Sequence, residues 1–204
     1  MLDLGNFREP SYSSEEVLIT PLLWAIANIP EAVFTVDGDM KLLDMLTSED
    51  EESIDFDTKT EDGWTALMFA SEKGHVNAME LLISKGADVQ TKDNKDFTAP
   101  MIASLNGHAD ALELLISKGS NVKAKNKEGI TALMVASYNG HINAMELLIS
   151  KGSDVRAKTI IGSTALIYAS KEGHVNAMEL LISKGSDVNT KNNLGLTALM
   201  FATK

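Results

Sequence analysis

The chain has 204 residues, 44% hydrophobic and 23% charged, with a formal net charge of −11 and no cysteine. That balance is ordinary for a soluble globular protein, and the missing cysteine excludes disulfides, thiolate metal sites and cysteine nucleophiles together. No apolar run reaches the roughly 18–20 residues needed to cross a bilayer, and an acidic total disfavours general nucleic-acid binding, which needs clustered positive charge.

The charge is unevenly placed. Residues 1–62 hold 16 acidic side chains against 3 basic ones, whereas residues 63–204 hold 13 against 15. This break is a boundary signal. The opening stretch, MLDLGNFREPSYSSEEV, has no basic leader followed by an apolar segment. A cytoplasmic location is therefore expected, with export by a route that uses no leader left open. SSEE from Ser13 predicts the capped start of a short helix. TPLLWAI from Thr20 and GDMKLLDML from Gly38 read as two further helices, separated by an insertion containing PEAVFTV and followed by the acidic run SEDEES.

From residue 58 onward the chain repeats itself. Thr65, Thr98, Thr131, Thr164 and Thr197 stand 33 residues apart, and Gly74, Gly107, Gly140 and Gly173 follow at the same step, each with a histidine after it. Gly86, Gly119, Gly152 and Gly185 close the units. Each threonine is a natural N-cap for a short first helix, from about Ala66 to Glu72 in the first copy. Gly74 ends that helix, where positive φ is cheap. A second helix starts near His75 and places Val76, Met79, Leu82 and Ile83 on one face, before a left-handed cap at Gly86. One such helix pair cannot bury its apolar face alone, so stacking on the next copy supplies the partner.

The unit, G-x-T-A-L-M-x-A-S-x-x-G-H followed by A-M-E-L-L-I-S-K-G-x-D-V, resembles the ankyrin repeat over residues 58 to 204. The resemblance implies an all-α solenoid of stacked helix-turn-helix units with protruding β-turn or hairpin loops. Its units are expected at 58–90, 91–123, 124–156 and 157–189, with an incomplete one at 190–204 and an acidic segment plus a divergent capping unit at 1–57. Departures from the family pattern carry their own expectations. Pro100 stands where other copies have leucine, making that unit the weakest in the stack; Asp96 replaces a turn glycine; and Met68, Met101, Met134, Ile167 and Met200 replace the family histidine, so apolar packing is expected there. The chain stops at Lys204 after a first helix. That end is expected to belong to a longer parent or to be covered by a second copy, giving a monomer or a weak dimer.

Catalytic and metal chemistry find little support. Stacked helices lie about 8–10 Å apart, while zinc ligands sit at about 2.0–2.2 Å, so neighbouring repeat histidines could not share an ion and are read as structural. SEDEES with IDFD lacks the ligand spacing and glycine of a calcium loop. It reads as a solvated cap loop, or as a docking arm for a basic partner. No nucleophile elbow, phosphate loop or zincin motif occurs, and neither an enzyme nor a cofactor is expected. Lysine columns at 59, 92, 125, 158 and 191 and at 85, 118, 151 and 184 raise a lipid-headgroup or nucleic-acid reading. Interleaved acids favour a solvated face instead.

The resemblance further implies protein binding through the turn tips and the concave first-helix face, as an adaptor, a scaffold, an inhibitor or the targeting part of a larger effector. The residues that vary between copies are the candidates. Before the threonines stand Trp64, Phe97, Ile130, Ser163 and Leu196; ahead of the inter-helix glycines stand Glu72, Leu105, Tyr138 and Lys171; and the turns carry Ile160, Ile161 and Leu194. The expectation is a ridge of Trp64, Phe97, Leu105, Ile130 and Tyr138, extended by Ile160, Ile161, Leu194 and Leu196.

Overall fold

The structure is a computed structural model and describes residues 55–202. The divergent capping unit, SSEE and SEDEES lie outside the described residues. Nine helices are present among the described residues: α1 Ala66–Lys73, α2 Val76–Ser84, α3 Ala99–Asn106, α4 Ala109–Ser117, α5 Ala132–Asn139, α6 Ile142–Ser150, α7 Ala165–Lys171, α8 Val175–Ser183 and α9 Ala198–Ala202. Each odd-numbered helix packs on the next odd one, each even helix on the next even one, and each pair packs internally. This is the nearest-neighbour architecture of a solenoid.

Local chemistry sets the boundaries. The hydroxyls of Thr65, Thr131 and Thr164 accept from the third amide of their helices, at Met68, Met134 and Ile167. Thr98 makes no such bond, and Pro100 follows it in the first turn. Proline removes one of the two amides an N-cap hydroxyl can accept from. The helix nonetheless forms, because φ near −65° suits a first turn. Gly74 takes φ 71°, and the His75 amide donates back to the Ala70 carbonyl at 3.0 Å, closing α1. Asp96 is the non-glycine residue with positive φ among the described residues, at 62°, so the turn survives the loss of glycine.

The core runs unbroken between the units. Met68, Met101, Met134 and Ile167 are buried in it, as are the stacking alanines Ala70, Ala103, Ala136 and Ala169. Ser71, Ser104, Ser137 and Ser170 are equally buried and donate to the carbonyl four residues back at 2.6–2.8 Å, which satisfies them without a tertiary partner. Between helix pairs the chain forms tight turns rather than strands. A single isolated antiparallel bridge, Lys92 to Thr98, is the extent of hairpin pairing among the described residues.

The units are also tied by polar bonds. Nε2 of His108, His141 and His174 lies 2.9–3.0 Å from the carbonyl oxygens of Glu72, Leu105 and Tyr138 in the preceding unit. Turn tips join in the same way: the Asn94 amide donates to Asp62, Ile160 to Glu128 and Asn193 to Ile161, at 2.9–3.1 Å.

Candidate functional site

The turns are braced from within, and this decides where the variable side chains point. Asp93 accepts the amides of Lys95 and Phe97 at 2.8 and 2.7 Å; Asn126 does the same for Glu128 and Ile130, and Asn192 for Leu194 and Leu196. Each turn folds over the residue before the capping threonine and presses it inward. Trp64, Phe97 and Ile130 are therefore 4%, 5% and 3% exposed and belong to the core. Leu196, in the same column, is half-buried. The expectation of a ridge built on these residues is corrected: three of its five members are interior. Trp64 sits with its ring centroid 5.1 Å from that of Phe69, four positions into the helix. This is the hydrophobic staple between the residue before the cap and the fourth helical residue. The pattern was open to reading, since Phe97 and Ile102 or Ile130 and Val135 share that spacing.

The remaining candidates do face outward, toward the later units. Ile160 is 65% and Leu194 72% exposed at the turn tips, and Ile161 is half-buried beside them. Leu105 and Tyr138 are half-buried and lean on the core. Ile161 and Leu194 come together on the rim of a cavity of about 120 Å³, whose floor is Ile167, Tyr168 and Phe201 and whose far wall is Lys171. Tyr138 adjoins it: its ring meets that of Tyr168 edge-on at 6.3 Å, and the Lys171 ammonium lies 5.4 Å from its centroid. That arrangement is a cation–π pair. Tyr168, Phe201 and Ile167 are groove residues that the column argument misses. Ser163, the one small polar residue in the Trp64 column, lines the cavity together with Tyr168, whose side chain is otherwise buried. Burial pushes the ionisation of Tyr168 above its ordinary value, so it is a neutral phenol at physiological pH.

The groove is apolar with one cation at its wall, and its tips are fixed by backbone bonds. Such a surface can bind. Among the described residues no group of three or more metal-ligating side chains comes together, and no helix is long and apolar enough to cross a membrane.

Stacked helix pairs tied turn to turn, with an apolar groove between tips and first helices, define a solenoid repeat protein of the binding type. The family model described as ankyrin repeats in three copies matches residues 18–126, 91–159 and 133–204. The chain belongs to the ankyrin-repeat family, whose members are in general protein–protein interaction modules. No curated protein matches the sequence.

Proposed function

We propose that the protein is a non-enzymatic adaptor, scaffold or inhibitor that captures a partner segment in the groove beside Tyr138 and Leu194. One observation carries this reading: Ile160 and Leu194 are held out in solvent at fixed tips, beside an apolar cavity with an aromatic floor. Large exposed apolar side chains gathered around a cavity need a reason, and aromatic anchors in preformed sites are typical of protein interfaces. Because the tips are already bonded to their neighbours, little ordering is needed on binding. We place this activity in the cytoplasm, with the acidic first 62 residues facing a basic part of the partner. Assembly is read as a monomer or a weak dimer through the face carrying Val175, Ile182 and Leu199, which are exposed; sedimentation at high concentration decides between them.

The test is partner capture by the wild type and by a Tyr138→Ala, Leu194→Asp double variant whose thermal unfolding is unchanged. Specific partners should be lost by the variant. If they are retained, the groove is not the binding surface.

A further inference from the structure

A second cavity, of about 420 Å³, lies at the unit that departs from the repeat. Its wall includes Pro100 and Thr98 at the start of α3, Gln90 and Lys92 before the turn, and Lys123 and Lys125 at the junction with the following unit. No acidic side chain lines it. We propose that this cavity binds a phosphate monoester, presented by a phosphorylated side chain of a partner protein.

The argument starts from Pro100. Leu67, Leu133 and Leu166 fill the corresponding position in the sister units and are buried there. Proline has a shorter side chain tied back to its own nitrogen, so the space that leucine's branched end occupies is left open. The Thr98 hydroxyl also departs from its counterparts. Thr98 is 5% exposed, its oxygen makes no hydrogen bond, and the three counterparts at Thr65, Thr131 and Thr164 all cap their helices. That hydroxyl is closed off from solvent, so Thr98 forms part of the cavity's edge and the lysines are the groups left to meet a ligand.

The charge then selects the ligand. Lys92 and Lys125 belong to the repeating column, but Lys123 does not: its counterparts are Gln90, Arg156 and Asn189. Gln90 and Arg156 donate across to the carbonyls of Gly119 and Gly185 at 2.7 and 2.9 Å. No such bond commits the Lys123 ammonium, and none of the three lysines is ion-paired among the described residues. Three lysines lining one cavity with no acid among them suit a phosphate, which carries a charge of about −1.5 to −2 and three acceptor oxygens. Lysine serves phosphate well as a point charge. The cavity falls within the roughly 300–1,000 Å³ of ordinary ligand sites and exceeds what a bare phosphate fills, leaving room for the side chain that carries it.

The choice of a protein-borne phosphate rests on the protein-binding reading above, but its test needs no natural partner, so the two can fail separately. The full chain is titrated with a short glycine-flanked phosphoserine peptide, its unphosphorylated twin and inorganic phosphate, following backbone amide shifts. The phosphopeptide should give saturable shifts at Gln90, Lys92 and Lys123, and the twin none. Lys123→Gln, which removes the one ammonium outside the repeating column, should weaken binding at least tenfold, and Pro100→Leu, which narrows the cavity and leaves every charge in place, should weaken it as well. Absence of shifts overturns the proposal. So does undiminished binding by Lys123→Gln, which would place the peptide on the lysine column alone. Inorganic phosphate binding as tightly as the phosphopeptide would overturn the assignment to a protein-borne group.

Discussion

The imidazole of His108 lies against Gly74 of the preceding unit and holds the Glu72 carbonyl at 2.9 Å through Nε2. A carbonyl can only accept, so Nε2 carries the proton and donates. The glycine serves two purposes here: it takes a positive φ, and it leaves the ring its place. A Cβ on Gly74 would come within 2.7 Å of His108 Nδ1, whereas one on Gly173 meets nothing within 4 Å.

Gly74→Ala should therefore destabilise the array more than Gly173→Ala. The second substitution carries only the left-handed backbone penalty, about 1–2 kcal/mol; the first adds a steric clash and loss of the tie, a further 1 kcal/mol or so. In a His108→Ala background the two should converge. Urea denaturation of the four variants measures this, and equal losses for both glycines would contradict the interlock.

Trp64 and Leu194 should separate interior from surface. Trp64→Ala removes a buried aromatic stapled to Phe69 and is expected to cost about 3–5 kcal/mol. Leu194→Ser, at a tip 72% exposed, should stay within about 0.5 kcal/mol. Thermal melts with matched far-ultraviolet spectra give both numbers. A tryptophan variant as stable as the serine variant would return Trp64 to the surface.

Asp93 links stability to pH. Burial raises its ionisation above the ordinary carboxylate value of 3.8, against the pull of the Phe97 and Lys95 amides, the Lys95 charge and the Trp64 indole N–H. The native state thus keeps the proton to higher pH than the unfolded chain. The stabilising contribution is complete below 3.8 and is lost as pH rises through the raised folded value. In a Trp64→Phe background, where no indole needs an acceptor, Asp93→Asn should stabilise at pH 7, since Asn126 makes the same two amide bonds beneath Ile130. The gain should vanish on acidification below 3.8. In the wild-type background the new amide would face the indole donor, offsetting the gain by about 0.5–1.5 kcal/mol. A gain independent of pH would exclude the ionisation as its cause.

Pro100→Leu should raise stability, by about 1–2 kcal/mol, through the extra apolar side chain buried as in the sister units. Calorimetry measures it. A loss of stability would show that the α3 backbone has settled around the proline.

Much of the fold can be read directly from the sequence because its signals are local and occur in several copies. The 33-residue step, the capping threonines and the positive-φ glycines each reflect backbone chemistry that hardly depends on what lies beyond the unit. Asp96 at φ 62° is the same lesson in an exception. The groove is less legible. Variation along the Trp64 column suggests exposure, but each of those side chains varies with the space its own turn and helix leave, as the Ser163 and Tyr168 pairing shows. Tyr168 enters the groove beside the small Ser163, and a cavity bordered by Pro100 has no motif at all. Absence of side-chain volume is a tertiary quantity.

The one-directional histidine ties, each reaching back to the unit before it, have a mechanical corollary. Under tension applied at its two ends, the array of described residues has no long-range clasp to fail all at once. It should yield rung by rung, each rupture releasing about 33 residues, or roughly 110 Å of extended chain. A groove spread over two rungs would then act as a splint, since an occupant gripping both must be shed before either can unravel.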